Sequence, residues 1–223
     1  MVSLPLRLSQ GHLFTVFGDE PWLVDTGGPQ SFGNQGTLAI GDRTFQVSPD
    51  YTGLTPEQLS GFVREPCSGL LGMDILSQFH LTLDVPGQTM LLAPTPPPAH
   101  GSRLPLRFFM GIPILDAAIA DSTQSLFFDT GAQHSYWQNR GLTRFPPAGT
   151  VRDFYPGFGQ FETPLHRVPL HLAGQRRESL FGRLPDLLGM TLKLASVHGI
   201  LGNEVCRNQK VTFRFPESCV DIG

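Results

Sequence analysis

The chain has 223 residues, 40% hydrophobic and 16% charged, with 25 glycines and 20 prolines; it is apolar enough to bury a core and too rich in chain breakers for a helical bundle. A net charge of −3 gives no basic field and argues against nucleic acid as a partner. No apolar run reaches about 18 residues, which argues against a membrane-spanning helix, and the start Met1-Val2-Ser3-Leu4-Pro5-Leu6-Arg7 lacks the parts of a signal peptide, so a cytoplasmic chain, or one whose leader was removed, is expected.

Residues 13–17 and 22–24 are short apolar runs flanked by Gly, Asp and Pro, as buried strands are. Residues 37–47 read as a hairpin turning at Gly41-Asp42. Thr55-Pro56-Glu57 offers a cap residue, a first-turn proline and an early acid, and so predicts a helix start. Residues 73–79 predict a short helix after Gly72, and 203–208 another after Gly202. Residues 93–102, with four prolines, read as an extended, semi-stiff connector, an SH3-type ligand being the alternative. Beyond it, 112–119 and 126–128 are strands, and 170–176 is a second hairpin. The expectation is an all-β chain with few short helices: a unit over 1–93, a linker over 94–103 and a unit over 104–223. Cys67, Cys206 and Cys219 cannot close into pairs, so they read as free, partly buried thiols, with a Cys206–Cys219 bridge between neighbouring strands as the alternative. Neither CxxC nor HExxH occurs, so no metal and no cofactor is expected.

The chain repeats itself. Leu4-Pro5-Leu6-Arg7-Leu8 recurs as Leu104-Pro105-Leu106-Arg107-Phe108, 100 residues on; Asp25-Thr26-Gly27 recurs as Asp129-Thr130-Gly131, 104 on; Leu70-Leu71-Gly72 recurs as Ile200-Leu201-Gly202, 130 on. Three matches in one order, with offsets that only grow, indicate two copies of one fold. Each Asp-Thr-Gly directly follows a buried apolar strand. Alone, such a triplet is an ordinary turn; placed equivalently in two copies, it lets pseudo-twofold symmetry bring both carboxylates to one axis.

In these residues the chain resembles the aspartic peptidases of the pepsin and retropepsin families. Val24-Asp25-Thr26-Gly27-Gly28 and Phe128-Asp129-Thr130-Gly131-Ala132 are similar to the catalytic element of those families, and Leu70-Leu71-Gly72 and Ile200-Leu201-Gly202 to the apolar pair plus Gly that threads beside it. The resemblance implies two pseudo-twofold-related, retropepsin-like all-β lobes in one polypeptide, with Asp25 and Asp129 catalytic. It further implies Thr26 and Thr130 hydrogen-bonded across to the opposite loop, Gly27 and Gly131 admitting backbone amides to the carboxylates, a peptide or protein substrate, pepstatin-type inhibitors, and a monomer. Two carboxylates held about 3 Å apart share one proton, so one can take a proton from water while the other donates to the scissile carbonyl. Gly28 and Ala132 stand where pepsins usually carry Ser or Thr; losing that hydroxyl donor removes a force that lowers the pair's pKa, so an optimum milder than pepsin's is expected.

Gly174 stands 133 residues after Gly41, so the second copy carries 29 residues more than the offset of 104 at the Asp triplets allows. The excess contains residues 151–162, whose aromatics flank Pro156-Gly157 and Gly159, the composition of a mobile-tipped hairpin. By resemblance it is the flap, with Tyr155, Gly157 and Phe158 against substrate; the alternative is a surface loop with its aromatics in the core. The first copy is too short between Asp25 and Gly72 for an equivalent flap. Trp137 either lines a hydrophobic pocket or belongs to the core. His134 reads as a surface histidine, His166 and His171 lack ligand partners, and Asp74 reads as a helix-start carboxylate. The function expected is an endopeptidase preferring extended peptides with apolar side chains, the alternative being a catalytically silent peptide-binding or assembly module on the same fold.

Overall fold

The computed structural model describes residues 1–155 and 158–223, and it is mostly β. One sheet of ten strands runs in the spatial order Phe32–Gly33, Gly69–Leu71, Glu20–Val24, His12–Phe17, Val2–Ser9, Thr89–Ala93, His80–Asp84, Lys210–Arg214, Cys219–Ile222, Ser102–Pro105. The middle of that sheet joins the two halves of the chain: His80–Asp84 pairs antiparallel with Lys210–Arg214, with Thr82 opposite Thr212. A second sheet of eight strands belongs to the second half, and a separate two-stranded hairpin, Thr37–Ile40 with Arg43–Gln46, turns at Gly41-Asp42.

Strand registers repeat with the sequence offsets. Val2 faces Leu92, and Ser102, 100 later, faces Ile222, 130 later. Val24 faces Leu71 in a parallel pair, and Phe128, 104 later, faces Leu201, 130 later. Phe32 faces Leu70, as Tyr136 faces Ile200. Apolar residues with no polar alternation therefore occupy Trp22-Leu23-Val24 and Leu126-Phe127-Phe128 because these strands are covered on both faces.

The largest core cluster spans both halves and includes Trp22, Val24, Leu71, Leu81, Phe128, Leu201 and Phe213. The rings of Phe128 and Phe213 lie 4.8 Å apart within it. Two smaller clusters stand to either side. One, of Phe14, Leu23, Phe32, Leu59 and Leu70 among others, lies under the helix Pro56–Val63. The other, including Ile114, Tyr136, Leu188, Leu192 and Ile200, lies under the helix Asp186–Leu194.

The first helix starts as its sequence predicts, with Thr55 and Gln58 forming a reciprocal capping box. The other expected helices are shorter: one spans Met73–Leu76, and Asn203–Cys206 is a 3-10 turn. Asp186–Leu194 was not among the expected helices, since Pro185 at its N-cap offers no side-chain acceptor; packing of Leu188 and Leu192 holds it instead. The strand Ser102–Pro105 begins inside the stretch expected to be linker. All three cysteines are free and buried. No helix among the described residues is long and apolar enough to cross a membrane.

Candidate active site

Asp25 and Asp129 each follow the end of a buried parallel strand, and the sheet fixes where each points: the Asp25 amide donates to Leu71 O and the Asp129 amide to Leu201 O, both at 3.0 Å. The two residues come from distant parts of the chain, yet their carboxyls are within hydrogen-bonding reach of each other. The loops that carry them are bolted together. Thr26 N donates to Thr130 Oγ1 and Thr130 N to Thr26 Oγ1, each at 3.0 Å. Each hydroxyl then donates onward across the halves, Thr26 Oγ1 to Phe128 O at 2.6 Å and Thr130 Oγ1 to Val24 O at 2.8 Å. Both threonines are fully buried, so all four bonds are made out of water.

Gly27 and Gly131 lie where each loop passes the other half's carboxyl. A Cβ at Gly27 would collide with the Asp129 carboxyl, and one at Gly131 with that of Asp25. The absence of those side chains lets amides approach: Gly27 N and Gly28 N donate to Asp25 Oδ1 at 2.8 and 2.9 Å, and Ala132 N donates to Asp129 Oδ1 at 2.9 Å.

Burial pushes both carboxyls above the usual range. Asp129 rises well above it, since the charge of Asp25 adds to its desolvation. Asp25 rises too, but the hydrogen bond with Asp129 and the amides of Gly27, Gly28 and Gly131 pull against its desolvation. Like charges this close cannot both persist, so the pair holds one proton, and the amides favour the negative charge on Asp25.

The carboxyls sit at the floor of a cleft of about 370 Å³. Its walls are apolar and come in matched sets, Leu23, Phe32 and Leu70 on one side and Phe127, Tyr136 and Ile200 on the other. The hairpin of Pro147–Tyr155 and Gly159–Leu172 supplies Asp153, Phe154 and Tyr155 to the same cleft. Burial, then the nearby charges of Asp129 and Asp25, raises the Tyr155 phenol, which stays a neutral donor. Phe154 stacks on Phe62 of the first helix, rings 4.6 Å apart and nearly parallel. Tyr136 donates its hydroxyl to Asp153, tying the hairpin to the second half's own wall.

No family model and no curated protein matches the chain.

Three expectations for substrate contacts need comment. Trp137 does not line the cleft; it is buried in the main core with its ring near Phe145. Alternation along Ser135–Trp137 turns successive side chains to opposite faces, and Tyr136 is the one that faces the cleft. Phe158 is half-exposed, packs edge-on to Phe161 and is also outside the cleft lining. Gly157 lies outside the described residues. His166 is a buried structural histidine whose Nδ1 lies 2.9 Å from Phe145 O, and among the described residues no three His, Cys, Asp or Glu side chains could hold a metal ion.

Asp74 does more than start a helix. Its Oδ1 accepts from the amide and hydroxyl of Ser31, whose Oγ accepts from Gly72 N at 2.8 Å. Glu204, Ser135 and Gly202 make the matching tie in the second half, with Ser135 donating to Glu204 at 2.9 Å and accepting from Gly202 N at 3.0 Å. Sequence reading passed over both serines; their separation of 104, the same as that of the Asp triplets, was the available signal.

Proposed function

We propose that the chain is an aspartic endopeptidase built as two retropepsin-like lobes in one polypeptide. The observation that carries this reading is the meeting of Asp25 and Asp129 at the floor of an apolar cleft, each carboxyl lying against the triplet glycine of the other half. A water between the carboxyls gives a proton to the ionised one as its oxygen attacks the scissile carbonyl carbon. The protonated carboxyl gives its proton to the carbonyl oxygen, leaving a tetrahedral diol. The carboxyl that took the water's proton gives it to the amide nitrogen while the other takes a proton from a diol hydroxyl, so the C–N bond breaks, the acid and amine leave, and the singly protonated pair is restored. Because the water attacks directly, the chemistry needs no covalent intermediate.

The matched apolar walls favour apolar side chains on both sides of the scissile bond. The hairpin carrying Tyr155 acts as the flap, adding backbone hydrogen bonds to an extended peptide. Both carboxyls lie in one chain, so a monomer suffices.

A pepstatin-type inhibitor, with its hydroxyl placed as the attacking water would be, should bind and abolish digestion of casein or a peptide library. Asp25→Asn and Asp129→Asn should each remove cleavage entirely while leaving the fold and its melting temperature in place. Cleavage that survives either change would falsify the shared-proton mechanism. Inhibitor and peptide binding without cleavage between pH 3 and 7 would mark a silent binding module instead.

A further inference from the structure

The two ends of the cleft are built from corresponding positions with opposite chemistry. At one end the cleft is lined by Met110, Ile112, Pro29 and Gln30, and Met110 is 77% exposed. The positions that correspond to these are Gln10 and His12, 100 residues before Met110 and Ile112, and Gln133 and His134, 104 after Pro29 and Gln30. Those four line a second cavity of about 330 Å³, together with Arg64 at the end of the first helix. Asp153 and Phe154 wall both spaces, so the second cavity continues the cleft past the Asp129 loop.

Most charged groups around this cavity already have partners. Asp153 already accepts from the Tyr136 hydroxyl and, at 2.8 Å, from Phe154 N. Arg152 is paired with Glu162 at 2.9 Å. Arg207 donates to Gln133 O and Asn203 Oδ1 at 3.3 Å. Arg64, by contrast, has no acidic partner among the described residues. His12 is buried with Nδ1 3.1 Å from Gly131 O, and because a carbonyl only accepts, Nδ1 carries the hydrogen and Nε2 is an acceptor, so His12 is not one of the donors to an anion. The free guanidinium and the side-chain amides of Gln10 and Gln133 together suit an anion with two acceptor oxygens.

We propose that this cavity is a subsite for a carboxylate of the bound peptide, an acidic side chain or the chain's own C-terminus, and that it sets the direction in which the peptide lies. The proposal rests on the peptidase reading. A peptide bound the other way round would place its carboxylate against Met110 and Ile112, beside a Gln30 amide already donating to Ser48 and without a cationic partner.

The test uses an eight-residue peptide with Phe-Leu at its centre and one Glu moved through the flanking positions, each paired with its Gln counterpart and made with free and amidated C-termini. Two quantities are read: kcat/KM with the wild-type protein, and calorimetric Kd with Asp25→Asn, which cannot hydrolyse the probe. The expected result is a preference of about tenfold for Glu over Gln on one flank only, the scale of one charge-assisted hydrogen bond in a half-open site. Arg64→Glu should reverse that preference and Gln133→Leu should narrow it. A preference that follows Glu assigns the carboxylate to a side chain; one that disappears on amidation assigns it to the chain end; both support the subsite. Equal values for Glu and Gln peptides and for free and amidated ends, with cleavage intact, overturn the subsite and leave the peptidase standing. If nothing is cleaved, the peptidase reading falls, and the Kd pairs still decide the subsite by the same criterion.

Discussion

Burial raises both Asp25 and Asp129, and the amides of their loops pull against it unequally, two donating to Asp25 and one to Asp129, so the pair's charge is favoured on Asp25. What those loops do not provide is a hydroxyl donor, since Gly28 and Ala132 carry none. A Cβ at Gly28 would stand 2.9 Å from Asp25 Oδ2 and 3.0 Å from a Leu70 methyl, too tight for a clean addition. Ala132 already has its Cβ, so Ala132→Ser adds only an oxygen. A hydroxyl donating to the ionised pair stabilises that form, so the acid limb of kcat/KM against pH should move down by about half a unit to one unit. An unchanged acid limb, with activity retained, would show that amides alone set the pair's acidity. At this scale the residues legible in the sequence were those that recur: both aspartates, both threonines and both glycines of the triplets. Between pocket and core for Trp137 the sequence could not choose, because the face of its strand is set by register, which assigned the cleft to Tyr136 and Trp137 to the core. The two serines were illegible for a related reason: an isolated Ser is an ordinary loop residue until Asp74 or Glu204 is folded against it.

The hairpin over the cleft comes from the second half alone, and its hold on the first half is the stack of Phe154 on Phe62. Phe62 sits on the helix Pro56–Val63. The hairpin of one half is thus packed against a helix of the other. Such a stack contributes about 0.5–1.5 kcal/mol beyond its buried area, so Phe62→Ala should raise KM roughly three- to tenfold with a smaller effect on kcat. Amides of Pro147–Tyr155 should exchange faster with deuterium in that variant, while those of the strand Glu20–Val24 should not. Equal acceleration in both strands would mean a general loss of stability rather than a loosened flap. The hairpin was visible in the sequence as surplus length with aromatics around glycines. The helix Asp186–Leu194 was not, although carrying Pro56–Val63 forward by 130 lands on residues 186–193. The second helix lacks the start signal of the first: Pro185 stands where an offset of 130 would put Thr55. Local cues fail where tertiary packing has taken over their work.

For the molecule as a whole, the offsets in the sequence announced two copies but not that their strands interleave into one sheet, because strand pairing at such separations leaves no local mark. The seam between the copies is polar at its centre, where Thr82 and Thr212 hydroxyls meet at 2.9 Å. Near the end of the same sheet lies an ion network with no counterpart in the first half: Asp221, buried, accepts from Arg103 Nε and from the buried Arg214 Nε, both at 2.7 Å. Arg214 also donates to Pro97 O at 2.6 Å, which fastens the proline-rich connector to the sheet. Desolvation pushes the Asp221 carboxyl up, but the two arginines prevail and hold it at about 2. A carboxyl whose folded value lies below its unfolded value of about 3.9 stabilises the native state above the unfolded value, and that contribution is lost as pH falls from about 4 towards 2. Asp221→Asn leaves Arg214 buried without its main partner; Glu217 Oε1 at 3.7 Å compensates in part. The expected cost is about 3 kcal/mol in urea unfolding at pH 7. The variant should also lose much of the wild type's decline in stability between pH 4 and 2, so the two proteins should converge as the pH drops. Curves that stay parallel down to pH 2 would remove Asp221 from the acid limit of the fold and leave other carboxylates to account for it.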